Sequence, residues 1–229
     1  KEGAIDIVSI ADDVPAEIWY VGHATQDHYG TYMLLEIPGK GKSSVPFVMA
    51  MSGFSGFLTT RFHTGIDDWR STEVLDYPDL TAIRRVTVTN NTRPTDGWTV
   101  TYDGGNALGL LTSDKVAVAM DSSAVKDMML TLRDQHFEYF ERKISKTERD
   151  SVMASTPSHV LEIAKADGAI QRVPFWKKKP YKEERNMDGQ LLVEDTDRQW
   201  ALLDDTCLVV VQRMHFDRIT LPIQLLAAR

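Results

Sequence analysis

Turn-forming residues cut the apolar segments of this chain into short pieces, and that punctuation limits what it can fold into. No apolar stretch reaches the roughly 18 residues of a membrane-spanning helix. The nearest, Val45 to Leu58, is broken by Ser52, Gly53, Ser55 and Gly56. What remains is a succession of short runs rich in β-branched and aromatic residues, bounded by Gly, Pro, Asn and Asp. That is the pattern of strands joined by turns.

The first third predicts strands at 5–10, 17–21, 32–37 and 46–50, separated by turns or loops at 12–15, 22–30 and 38–44. Residues 53–62 predict a short helix with Ser55 as cap and Phe54, Phe57, Leu58 and Phe62 on one side, against the weakening effect of two glycines. In the middle third, strands at 83–88 and 98–102 flank the turn at 90–97. A turn at 103–106 and short strands at 108–111 and 116–119 follow. Then Asp121, Ser122 or Ser123 caps a long helix to about Lys143. Its apolar face carries Val125, Met128, Met129, Leu132, His136, Tyr139 and Phe140 at three- and four-residue spacing. Ser145-Lys146-Thr147-Glu148 is a capping box that opens a short helix ended by Pro157. The last third returns to strands at 160–163, 171–177, 200–203 and 208–211. A turn at Asp167-Gly168, a polar stretch from Lys178 to Asp197 and a short helix at 212–219 complete it.

These elements predict an α+β, strand-rich fold of about three weakly similar β-meander-plus-helix modules, with mostly antiparallel sheet. The aromatic-x-Leu-Leu-acid segments at 32–36 and 200–204 carry the similarity. The modules span 1–78, 79–157 and 158–229, or else form one continuous domain.

Composition narrows the function classes. Hydrophobic residues at 42% and charged residues at 26% fit a globular protein rather than a disordered chain. With 33 acidic against 26 basic side chains the formal net charge is -7, which argues against a duplex-nucleic-acid binder. A single cysteine excludes an intrachain disulfide and a closed cysteine-based zinc site.

Four segments carry residue types that support chemistry. The loop Gly22 to Gly30 holds His23, Asp27 and His28, two imidazoles and a carboxylate of the kind that binds zinc, copper or nickel. Read blandly, it is a polar connection in which Asp27 bonds nearby amides and Gly30 supplies a turn conformation. His63, Asp67 and Asp68 lie beside Trp69-Arg70. Without a Gly-x-Ser-x-Gly elbow they read as a surface loop, with Trp69 plugging a core edge. Cys207 opens an apolar strand and reads as a small hydrophobe rather than a nucleophile. Phe175 to Lys182 mixes aromatic and basic residues. That suits a stacking surface for single strands or a lipid-headgroup contact, but reads better as an edge strand guarded by lysines.

Several stretches in order resemble a bacterial family of unknown function, DUF four-three-four-zero. They are Ile18-Trp19-Tyr20-Val21-Gly22, Gly30 to Leu35, Pro46-Phe47-Val48, Gly53 to Phe62, Asp68-Trp69-Arg70, Phe137-Glu138, Asp150 to Pro157 and Trp200-Ala201-Leu202-Leu203. The resemblance implies a cell-envelope protein held by an N-terminal membrane anchor, with relatives that look like auxiliary parts of gliding or export systems. It implies no catalytic residues, and relatives usually carry other residues where His23 and His28 stand. It also implies that Lys1 lies inside a longer protein, past the anchor.

The resulting expectation is a non-catalytic scaffold or interaction module of an envelope assembly on the periplasmic side. Its partner is an envelope or membrane protein, and it uses no nucleic acid, metal or cofactor. One rival is a metal-dependent or hydrolytic enzyme built on the His23–His28 loop. The other is a small-ligand or glycan binder using Trp19, Tyr29 and Trp176.

Overall fold

The computed structural model describes residues 4–8, 15–62, 65–103 and 106–228. The turn signal at 12–14, His63 and the Gly104-Gly105 pair lie outside the described residues. The protein is α+β, strand-rich and antiparallel throughout its named sheets. Two compact units divide it, Lys1–Ser71 and Thr72–Arg229. Among the described residues no helix is long and apolar enough to cross a membrane.

The first unit is one five-stranded sheet. Its strands are β1 (Ala4–Val8), β2 (Pro15–Ala24), β3 (Thr31–Ile37), β4 (Gly41–Lys42) and β5 (Phe47–Met49). The order is β1-β2-β3-β4, and β5 also pairs with β3. The helix expected at 53–62 is absent; a single 3-10 turn, Thr59–Arg61, stands there. Gly53 and Gly56 adopt φ of 78° and 152°, which no right-handed helix accommodates.

The second unit is built on a nine-stranded sheet, order β10-β9-β8-β7-β13-β14-β15-β16-β12. In chain order the unit contains β6 (Glu73–Asp76), β7 (Ile83–Asn90), β8 (Trp98–Asp103), β9 (Asn106–Thr112) and β10 (Ala117–Val118), then α1 (Ser122–Leu130). Next come β11 (Asp134–His136), β12 (Tyr139–Phe140), α2 (Lys146–Ala154), β13 (His159–Lys165) and β14 (Ile170–Lys177). β15 (Arg198–Leu203), β16 (Cys207–Gln212) and α3 (Arg213–Phe216) complete it. The strands of the expected middle and last modules thus share one sheet, joined where β7 and β13 pair from Asn90↔His159 to Ile83↔Lys165.

Alternation along these strands places Val86, Val88, Val100, Leu161, Ile163 and Phe175 on one face, each at most 1% exposed. Val125, Met128 and Met129 of α1 cover that face. A smaller cluster of Trp176, Trp200, Leu202, Leu208 and Val210 lies outside that core, with Val152 and Met153 of α2 packed against it.

Both helix starts read from sequence carry a side-chain cap, but the capping box closes on one side only: among the described residues Glu148 returns no bond to the Ser145 amide. The Asp121 carboxylate accepts from the Ser123 and Ala124 amides at 3.0 and 3.1 Å, and Ser145 Oγ from the Glu148 amide at 3.2 Å. The expected long helix is absent. α1 stops at Leu130, a 3-10 turn carries Thr131–Arg133, and the chain then runs extended as β11 and β12. The Thr131 hydroxyl donates to the Met128 carbonyl at 2.6 Å, and Arg133 donates twice to the Pro78 carbonyl. Beyond that point β6 and β16 offer unpaired edges. The aromatic segment His136 to Phe140, poor in helix formers, pairs with them instead.

Candidate functional site

The loop from His23 to Gly30 closes on itself. Thr25, buried, is its hub. Its amide donates to the Gly30 carbonyl at 2.9 Å, and its Oγ1 donates to Asp27 Oδ1 at 2.5 Å and accepts from the Gly30 amide at 3.0 Å. Asp27 also accepts from the Tyr29 amide. The Thr25 hydroxyl, followed by the Tyr29 amide, holds its carboxyl below the usual aspartate range. So Asp27 serves the loop. His23 and His28 are both exposed, and the His28 ring sits 6.0 Å from that of Phe57. Among the described residues no group of three or more His, Cys, Asp and Glu side chains converges on a metal position.

One detail of this loop differs from the sequence reading. The left-handed residue is His28, at φ 60°, rather than Gly30. Gly30 is required for a different reason: a Cβ there would lie 2.5 Å from Val48 Cγ1.

The other candidates do not assemble either. Asp67 and Asp68 sit in the 3-10 turn Ile66–Trp69, with Arg70 bonded to Asp67 at 3.2 Å. Trp69 is 64% exposed, so it plugs no core edge. Cys207 is half-buried at the start of β16 and packs against the main core, as a small hydrophobe does. β14 is not an edge strand: it lies between β13 and β15, with Phe175 and Trp176 buried. Trp176 donates its indole N–H to the Ser155 carbonyl and presents no stacking face. Trp19, half-buried in the first unit, donates to Glu17.

What stands out in the first unit is apolar exposure. From Glu17 to Ser71, among the described residues, Met33 and Leu58 are the fully buried apolar side chains, against nine large exposed ones: Tyr29, Tyr32, Val45, Phe47, Val48, Met51, Phe54, Ile66 and Trp69. The second unit buries thirty-two and exposes ten. Several of the exposed groups lie on or beside β5 in the chain: Val45, Phe47, Val48, Met51 and Phe54, with Tyr32 on the paired strand. Tyr32 faces Val48 and Met33 faces Phe47 across the β3–β5 register. Met51 and Phe54 follow in the loop that leaves β5. β5 itself pairs only with β3 among the described residues, leaving its other edge open.

Sequence reasoning missed a buried polar network in the second unit, spread over residues that show no motif. Glu141 is 4% exposed, and its carboxylate accepts from Tyr181 Oη at 2.6 Å, Trp200 Nε1 at 2.8 Å and the Lys143 amide at 2.8 Å. Burial opposes its charge, but these three bonds and the Lys178 ammonium outweigh burial and hold the carboxyl below the usual glutamate range. Burial and the Glu141 carboxylate push the Tyr181 phenol well above its ordinary value. Lys178, with a side chain 0% exposed, pairs with Asp195 at 3.2 Å and stands 3.6 Å from the centre of the Tyr181 ring. Arg198 grips Glu138 through two bonds of 2.8 Å. These contacts pin the segment 178–197 to the sheet. A carboxylate with all its bonds made and a phenol locked neutral are parts of a structural clamp, not an acid–base pair. Comparisons with family models, with curated proteins and with solved structures found no match to this chain.

Proposed function

We propose that the chain is a non-catalytic scaffold or interaction module of an envelope assembly. Its contact surface is the exposed apolar rim around β5. The observation that carries this reading is that, from Glu17 to Ser71 among the described residues, nine large apolar side chains are exposed and two fully buried, the others being half-buried. Single exposed apolar residues are ordinary, whereas a concentration beside an open strand edge is the usual form of a docking surface. The occupant that fits is a protein strand laid beside β5, hydrogen-bonding the free edge and covering Tyr32, Phe47 and Val48. The first unit carries charges of both signs, among them Lys40, Lys42, Asp27 and Glu36. That mixture suits a protein partner better than an anionic lipid surface. The envelope setting rests on the resemblance to DUF four-three-four-zero.

A photocrosslinking residue at Val48 in the cell, compared with one at exposed Thr95 of the second unit, tests this. One discrete adduct from position 48 and none from 95 is the expected result. With the crosslinker kept at position 48, Phe47→Asp should remove both adduct and phenotype, while His23→Ala with His28→Gly leaves both intact. A folded His23/His28 variant without phenotype would overturn the scaffold and favour the enzyme.

A further inference from the structure

The second unit holds a cavity that the contact surface does not use. It lies between α1, the 3-10 turn Leu80–Ala82, and strands β8 and β9, with a volume of about 490 Å³. That is within the usual range for a small-molecule site. Its walls are mixed: Leu80, Ala107, Met120, Val125 and Met129 form an apolar side, and Thr81, Asn106 and Ser122 a polar one, with Asp79, Lys126 and Arg133 as the charged groups. Val125 and Met129 belong to the main core, so the wall they form is fixed by packing.

The polar groups at the mouth are unequal. Asp79 is spent on its own turn, accepting from the Thr81 amide at 2.9 Å and the Thr81 hydroxyl at 2.6 Å. Arg133 is turned to the Pro78 carbonyl. The first amides of α1 are occupied by Asp121. Lys126, one turn along α1 from Ser122, makes no hydrogen bond or ion pair among the described residues. An uncommitted ammonium thus stands at the mouth of a cavity with one apolar side, in a chain whose formal net charge is -7. A neutral apolar ligand would leave that ammonium unused, and a cation would meet it with repulsion.

We propose that this cavity binds a small amphipathic carboxylate, the apolar tail against the half-buried Leu80, Ala107 and Met120 and the carboxylate on Lys126. The assignment is independent of the docking surface, which lies in the first unit.

Calorimetric titration of the whole chain tests it, with octanoate as probe and octanol and octylamine as isosteric controls. One octanoate should bind per chain, with both controls at least about tenfold weaker, equivalent to about 1.4 kcal/mol. Lys126→Glu should weaken octanoate by about tenfold or more and bring octylamine to the stronger place. Ser122→Trp, at an exposed position lining the cavity, should abolish binding of all three with an unchanged melting temperature. Absence of octanoate binding below its micellar range would overturn the proposal. So would equal affinity for octylamine, or octanoate binding that survives both substitutions.

Discussion

Removing the Glu141 carboxylate should destabilise the second unit far more than its position in an irregular segment suggests. Glu141 immediately follows β12, and its own amide donates to the Leu208 carbonyl at 3.0 Å. Glu141→Ala deletes three charge-assisted acceptor contacts, but their costs differ. The Lys143 amide and the Tyr181 hydroxyl belong to exposed residues and regain water. Trp200 is 5% exposed, so its indole N–H is left buried and unpaired, at about 1–3 kcal/mol. Adding a lost net gain of about 1 kcal/mol for each of the other two gives a total of about 3–5 kcal/mol. Tyr181→Phe, which removes the Oη bond to Glu141 and the hydroxyl contact with Tyr139 but leaves Trp200 paired, should cost about 1–2 kcal/mol. The pH dependence has a definite sign. Glu141's folded pKa lies below its unfolded value of 4.5, so its stabilisation is complete above that value. It is lost as pH falls through the folded pKa. Urea unfolding, followed by tryptophan fluorescence and by amide exchange at Leu208 and Val210, measures both effects. A Glu141→Ala loss under about 1 kcal/mol would refute the clamp. So would a Glu141→Gln variant whose acid sensitivity below the reference value of 4.5 equals that of the parent.

Two further substitutions test the packing argument. Leu132→Ala, at a site 0% exposed in the main core, should cost about 2–5 kcal/mol by chemical denaturation; a loss well under 1 kcal/mol would mean that the cavity collapses freely. Gly30→Ala should destabilise the first unit by about 1–3 kcal/mol, because the new methyl meets Val48 Cγ1 at 2.5 Å and valine has little freedom to move. A Val48→Ala background should recover most of that loss, and no recovery would place the cause elsewhere.

The sequence made legible those features whose physics is local. The Asp121 and Ser145 caps, the turn around Gly168 at φ 90°, the alternation in β7 and the continuous apolar run of β16 all depend on residues a few positions apart. The end of α1 was hidden because no Gly or Pro marks it. The apolar spacing simply continues past Leu132 into His136 and Phe140, while the decision to leave the helix belongs to the remote edges of β6 and β16. β14 was misread for a similar reason. Lysines at 177–179 look like guards on an edge, yet Lys178 is buried on Asp195, a partner that only the fold brings near. The hairpin between β15 and β16 turns through Asp204 and Asp205 at φ 50° and 55°. Aspartate tolerates that left-handed geometry, and nothing in the composition of the turn announces it. Of the candidate site, Asp27's service to its own loop was legible, whereas the apolar exposure around β5 was not. Strands 32–37 and 46–50 read simply as strands, since sequence shows which residues are apolar and not whether anything covers them.

The two units also manage their strand edges differently. In the second, the meander β7–β10 and the meander β13–β16 lie side by side, first strand against first strand, antiparallel from Asn90↔His159 onward. Each thereby removes the other's longest open edge. The outer edges are left to β10 and β12, of two residues each, too short to template another chain. The faces are then covered by α1 and by α2. In the first unit the strands pair among themselves alone, and β5 ends the sheet with Phe47, Val48 and Met49. Edge strands are ordinarily blunted by charge, proline or brevity. β5 has Pro46 before it and only three residues, but its side chains are apolar where a guarded edge would carry lysine. An edge kept short enough to avoid self-assembly, yet apolar enough to hold a specific strand, is the combination that a docking site for one defined partner requires.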